Sequence, residues 1–299
     1  MGKIGIKETE FDGLAAVELT TAKARLIAVT GMGPRIAHFG ARNGRNLLFW
    51  DHARKYHRGK WHLKGGHRVW ATRPMADESE ETYLDDNEPC ALRILRDGFE
   101  VRGATHPVFR IRKSIVVRVL ADDTLSVENR ITNDSEMVWS GGVWGLTCTV
   151  PKGNTSYGIP LGGGGEWDVF SLVIPRRWGG GQQSLVNDPA VSFTENCLIL
   201  RPKGRISKRM VQAPQGMVGM TDPSEGLSFI KKAPYVHGAD YPLNCNIAYY
   251  VGKANFMVEM ETMGPDQPVL PGGTISGKET WMLRKPVDWR KLKGPLLID

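Results

Sequence analysis

Residues Gly65-Gly66-His67-Arg68-Val69-Trp70 place an imidazole, a guanidinium and an indole within four positions of a glycine pair that lets the backbone turn tightly. Together they offer a titratable proton donor, a fork for hydroxyl or carboxylate oxygens, and a flat apolar surface of the kind that packs on the C–H face of a sugar ring. The same three residues also suit a hydrogen-bonded interior histidine, an arginine in an ion pair and a core tryptophan. A second segment, Phe256-Met257-Val258-Glu259-Met260-Glu261-Thr262, carries two carboxylates two residues apart. In a strand Glu259 and Glu261 share a face, roughly 7 Å apart at about 3.3 Å per residue. On a dry concave face, desolvation and mutual repulsion would raise at least one carboxyl pKa, which suits proton transfer. On an outer face the two would be solvated partners of Lys or Arg.

The elements that must position these residues read as strands. Gly and Pro punctuate the chain throughout, and sustained helical periodicity is absent. Runs at 108–120 and 124–132 flank Ala121-Asp122-Asp123 and predict a hairpin. In the second run Leu125, Val127, Asn129 and Ile131 alternate with Ser126, Glu128 and Arg130. An early pair spans 14–30 and 34–40, and further runs fall at 143–150, 168–174, 191–200, 227–231, 246–251, 255–262 and 279–284. Strands in this order without intervening helices predict an all-β sandwich. Neither an internal repeat nor a linker divides the chain, so residues 1–299 are expected to form one domain. Gly162–Gly165 and Gly179–Gly181 lack the Gly-Lys-Ser/Thr continuation of a phosphate loop, and Gly31-Met32-Gly33 does not continue into a dinucleotide fingerprint.

Composition narrows the function classes. The 41 % apolar content suits a globular core, and the apolar runs all fall well short of the roughly 20 residues of a membrane span. The amino terminus has no signal-length apolar segment, so a cytoplasmic protein is expected. Cys90, Cys148, Cys197 and Cys245 stand far apart, which argues for buried thiols over a zinc knuckle or a disulfide scaffold. The net charge of +7 favours anionic partners, and His52 to Arg68 concentrates ten basic or imidazole side chains around Tyr56 and Trp61. No nucleic-acid module surrounds that stretch, so a pocket rim attracting an anionic sugar, or a solvated loop, fits it better than a nucleic-acid surface.

Val258-Glu259-Met260-Glu261-Thr262-Met263-Gly264-Pro265, followed by Leu270-Pro271-Gly272-Gly273-Thr274 and Glu279-Thr280-Trp281-Met282-Leu283, resembles the carboxy-terminal signature of aldose 1-epimerases and their galactose mutarotase-like relatives. Leu26 to Phe49, with Gly33-Pro34-Arg35, is similar to the opening strands of that family. Leu125 to Pro151, with Asn129, Asn133 and Trp144-Gly145-Leu146-Thr147, is similar to its central strands, and Gly65 to Trp70 resembles an element of a little-characterised bacterial branch. The resemblance covers about two thirds of the chain and implies a large antiparallel β-supersandwich of the galactose mutarotase-like type. It assigns the general base to Glu261 and leaves Glu259 a supporting or structural role. The Thr-Asn-His element that supplies the family's acid is missing, since Trp144 to Thr147 holds no histidine. His67 is therefore expected to be the acid, with His237 second, and Arg35, Arg68, Trp70 and His237 to contact substrate. The implied reaction is interconversion of sugar anomers on a mono- or oligosaccharide, with Arg68 and the basic stretch favouring an anionic one, and no cofactor or metal is required. Two other readings fit the same fold: a polysaccharide lyase-like or other glycan-processing enzyme, and a carbohydrate-binding module without catalysis. An arrangement of His67 and Glu261 on opposite sides of one cleft would favour an enzyme.

Overall fold

The computed structural model describes residues 2–58, 60–72, 83, 86–162, 170–178 and 182–293. Two large antiparallel sheets carry the architecture. The first runs, in spatial order, through strands Gly5–Phe11, Leu14–Thr20, Ala24–Val29, Arg35–Ala41, His67–Thr72, Trp139–Thr149, Val258–Met263, Ile247–Val251, Ser207–Val211 and Leu172–Val173, with Gln267–Val269 pairing to the start of Trp139–Thr149. The second runs through Val191–Phe193, Cys197–Leu200, Ser156–Pro160, Met217–Asp222, Leu227–Lys232, Thr274–Arg284, Thr124–Asn133, Ile111–Ala121, Gly98–Thr105 and Ala91–Leu95. Among the described residues there is no α-helix, and no helix long and apolar enough to cross a membrane. This is the expected all-β architecture.

The predicted hairpin forms between Ile111–Ala121 and Thr124–Asn133. Its alternation is the one the sequence predicts: Leu125, Val127 and Ile131 enter the core between the sheets, while Glu128 and Arg130 remain partly exposed. Phe39, Phe229 and Trp281 bind the two sheets together through ring contacts of 4.8–5.1 Å. Other boundaries move. The run at 191–200 splits into a hairpin, and the run at 168–174 contributes only Leu172–Val173, its residues 168 and 169 lying outside the described residues. Of the two glycine clusters, Gly163–Gly165 and Gly179–Gly181 also lie outside them.

The first sheet is covered on its other face as well. Leu63, Trp70, Trp144, Leu146, Cys148, Met210, Ala248, Met257 and Met263 form a second apolar cluster there, packed by Trp61, Tyr83, Tyr250 and Phe256. The basic stretch supplies part of this cover. It is pinned at both ends by Asp12, which accepts hydrogen bonds from Trp50 Nε1 (2.9 Å) and Lys64 Nζ (3.3 Å) and pairs with His52 Nδ1 (2.9 Å).

Candidate functional site

Strand parity decides which candidates can meet. In Val258–Met263, Val258 and Met260 face the core between the sheets and Thr262 reaches Glu279 of the opposite sheet, so Glu259, Glu261 and Met263 face the outer cluster. In His67–Thr72, Val69 and Ala71 join the core, whereas Arg68 and Trp70 face outward. His67 therefore points away from Glu261, between the sheets, where it is fully buried. Its Nε2 pairs with Asn129 Oδ1 and its Nδ1 with Thr147 Oγ1, both at 2.8 Å, and its ring meets Trp281 edge-on at 4.9 Å. Asn129 Nδ2 donates to Glu279 Oε1 (3.1 Å), so Asn129 Oδ1 must accept from His67. The imidazole therefore carries a hydrogen on Nε2. Burial pulls its pKa down to about 4, Lys231 adding to the effect and Glu279 opposing it. The expectation of His67 as an acid across one cleft from Glu261 is corrected: neighbouring positions on a strand face opposite ways, and Arg68 took the outward one.

Three cross-strand rows line the outward face. Register aligns Arg35, Arg68, Leu146, Glu261, Ala248 and Met210 in one row. Flanking it are the row Cys148, Glu259, Tyr250, Lys208 and the row Trp70, Trp144, Met263. Arg35 and Arg68, both fully buried, share the carboxylate of Asp86, and Arg68 stacks at 5.1 Å on Trp61 and 5.2 Å on Trp70. Burial alone would raise the Asp86 pKa, but the guanidiniums of Arg35 and Arg68 hold it far below the usual carboxylate range. Arg35 thus braces the basic stretch from beneath, through Asp86 and the Leu63 carbonyl (3.0 Å), and is not in the lining of the cleft that this stretch helps to wall.

A cleft of about 400 Å³ opens over the other two rows. Trp70, Trp144, Glu259 and Lys208 lie in its lining. Lys55, Tyr56, His57, Trp61 and Leu63 of the basic stretch form one wall, and Tyr250, Phe256, Trp178 and Gln182 form others. Lys208 Nζ sits 5.1 Å from the Trp144 ring centre and 3.9 Å from Glu261 Oε2. Glu261 is fully buried behind it and is not part of the lining, whereas Glu259 retains 8 % exposure there. Cys148 Sγ approaches Glu259 Oε1 at 3.6 Å, and burial followed by that negative charge pushes the thiol pKa well up. The buried indole N–H groups of Trp61, Trp70 and Trp144 meet no acceptor among the described residues.

Of the sequence candidates, the structure brings Trp70 into the cleft lining and sets Glu261 and Arg68 directly beneath it. His237 is exposed on the loop after Leu227–Lys232, 6.4 Å ring to ring from Tyr235, and lies outside the lining. Glu259, expected only in a supporting or structural role, is the carboxylate that reaches the lining, and Lys208, Trp144 and His57 join it without having been expected as site residues. Glu259 was within reach of sequence reasoning, since it shares a face with Glu261. Lys208, in Ser207-Lys208-Arg209-Met210-Val211, carries no such signal.

Neither a known family model nor a curated protein sequence matches the chain. Solved structures do. A galactose mutarotase-like protein from Clostridium acetobutylicum is similar over 94 % of this chain and 99 % of its own, with a TM-score of 0.58 at 9 % identity. Another from Lactobacillus casei ATCC 334 is similar over 94 % and 100 %, with a TM-score of 0.57 at 8 % identity. A TPR-domain containing protein from Parabacteroides distasonis ATCC 8503 reaches a TM-score of 0.63 at 16 % identity. The match takes in 95 % of this chain and only 49 % of that one, so the chain spans about half its length. The chain has the galactose mutarotase-like β-supersandwich fold.

Proposed function

We propose that the protein acts on a carbohydrate bound over Trp70 and Trp144, interconverting its anomers by acid–base catalysis. The observation that carries this reading is a carboxylate, Glu259, and an ammonium, Lys208, in the lining of one aromatic cleft. Glu259 takes the proton of the anomeric hydroxyl while Lys208 gives one to the ring oxygen, and the bond between C1 and the ring oxygen breaks. Rotation about C1–C2 presents the other face of the aldehyde, and the reverse transfers close the ring. Glu261 acts from behind Lys208, orienting its ammonium. The unpaired indole N–H groups suit hydroxyl or carboxylate oxygens, and Lys55 and Lys208 favour an acidic sugar.

Anomer exchange followed by NMR on neutral and acidic sugars tests this. Glu259→Gln is expected to lower the exchange rate roughly 10²–10⁴-fold, the usual worth of a positioned base. Glu261→Gln is expected to cost less and to shift the alkaline limb of the pH profile, because it acts through Lys208. Unmodified protein that exchanges every sugar at the buffer rate ends the catalytic reading. The placement of His67 outside the cleft favours a second reading, a carbohydrate-binding site without turnover. Under it the sugar binds, and Trp144→Ala abolishes binding, without any acceleration of exchange.

A further inference from the structure

The aromatic side chains of the cleft fall into three groups. Trp61, Trp70, Tyr83 and Trp144 touch one another with centroids 5.0–6.1 Å apart. Tyr56 and Phe256 form a second platform, stacked at 4.2 Å and 11°. Trp178 and Tyr250 form a third, edge to face at 6.2 Å. All three line the same cleft. A single pyranose has two faces and can cover two such platforms at most.

Volume points the same way. A hexose has twelve non-hydrogen atoms, and at somewhat over half a water's share of about 30 Å³ for each it fills roughly 200 Å³. The cleft holds about 400 Å³ and is flanked by walls from three separate parts of the chain. Its charged groups are also spread out. Glu259 and Lys208 lie two strands apart on the sheet, whereas Lys55 and His57 come from the covering basic stretch. Polar groups distributed along a cleft suit a ligand with hydroxyls along its whole length.

We infer that the cleft takes an oligosaccharide of at least two rings, one seated on Trp70 and Trp144 beside Glu259 and the next against Trp178 and Tyr250. This rests on the proposed carbohydrate-acting role and adds the length of the ligand to it. Trp178 is the residue that reads length. It lies in the short hairpin strand Arg177–Trp178, outside both large sheets, and is only partly buried, so its removal leaves the cores intact.

Tryptophan fluorescence and NMR titrations test the inference on the full chain, with mono-, di- and trisaccharides of the cellulose, chitin, starch and polyuronate series as probes. In the series that binds, affinity is expected to rise about ten-fold or more from one ring to two. Trp178→Ala is expected to erase most of that gain while leaving the monosaccharide affinity within about two-fold. A monosaccharide that binds as tightly as its di- and trisaccharide, or a Trp178→Ala variant that keeps the gain, overturns the inference and leaves the carbohydrate role standing. Failure of every series at every length overturns the carbohydrate role, and the inference with it.

Discussion

His67 shows how much of a residue's chemistry is set by the side of the sheet it faces. Outward, an imidazole with an ordinary pKa would be a proton donor. Inward, it is a neutral hydrogen-bonding hub between Thr147 and Asn129, with Glu279 and Lys231 the charged groups around it. Burial depresses His38 to about 4 as well. A histidine with a folded pKa below its unfolded one binds its proton more readily in the unfolded chain. Its contribution to stability is complete above about pH 6.5 and is lost as the pH falls toward 4. Each histidine is worth on the order of 3 kcal/mol across that window. Urea unfolding should show a lower midpoint at pH 5 than at pH 7. His67→Gln and His38→Gln should each flatten that dependence, since glutamine keeps a donor but does not titrate. An unchanged pH slope in both variants would show that neither imidazole is held neutral by the fold.

The strand Trp139–Thr149 separates the two environments, and Gly145 is where the polar side comes closest. A Cβ there would stand 1.9 Å from Glu279 Oε1 and 2.9 Å from both Asn129 Nδ2 and Thr262 Oγ1. Each of those atoms is tied: Thr262 Oγ1 and Asn129 Nδ2 donate to Glu279, and Lys231 Nζ holds Glu279 at 3.3 Å and the Gly145 carbonyl at 3.0 Å. Gly145→Ala is expected to cost about 2–4 kcal/mol by forcing this network apart, read as a drop in the urea midpoint. A loss below about 1 kcal/mol would mean the network gives way freely. The same strand marks what sequence could and could not foretell. Thr124–Asn133 was legible because one face is buried and the other partly wet, so its alternation is written in residue type. His67–Thr72 is buried on both faces, His67, Arg68 and Trp70 included, and the alternation is erased. Parity alone separates His67 from Arg68. Which of them joins Glu261 depends on Leu146 pairing with both Arg68 and Glu261, a register fixed across nearly 200 positions of sequence. In the same way, the shared face of Glu259 and Glu261 was readable, whereas Lys208, which covers one and leaves the other in the cleft, comes from a strand with no outward sign of its role.

At the scale of the whole molecule, the cleft depends on a clamp at the far edge of its sheet. One wall comes from the basic stretch, and the ends of that stretch are fastened to Asp12 in the two-residue turn Asp12-Gly13 between the first two strands. Both turn residues have positive φ, 52° and 74°, the conformation that makes Asp-Gly a tight hairpin turn. Burial works against ionisation of Asp12, but hydrogen bonds from His52, Trp50 and Lys64 outweigh it and bring the carboxyl down to about 2. The carboxylate contribution to the clamp is therefore complete above about pH 4 and is lost only as the pH falls through 2. Asp12→Asn keeps a residue that tolerates positive φ and removes the charge that gathers Trp50 and Lys64. Because Asp12 touches no part of the cleft lining, its replacement should loosen the wall carrying Tyr56, His57 and Trp61 while sparing the core between the sheets. The expected result is a roughly ten-fold weaker sugar affinity with a melting temperature within about 4 °C of the unmodified protein. Equal affinities in Asp12→Asn and the unmodified protein would show that the basic stretch holds its place through Asp86 and the arginines beneath it, without help from the edge of the sheet.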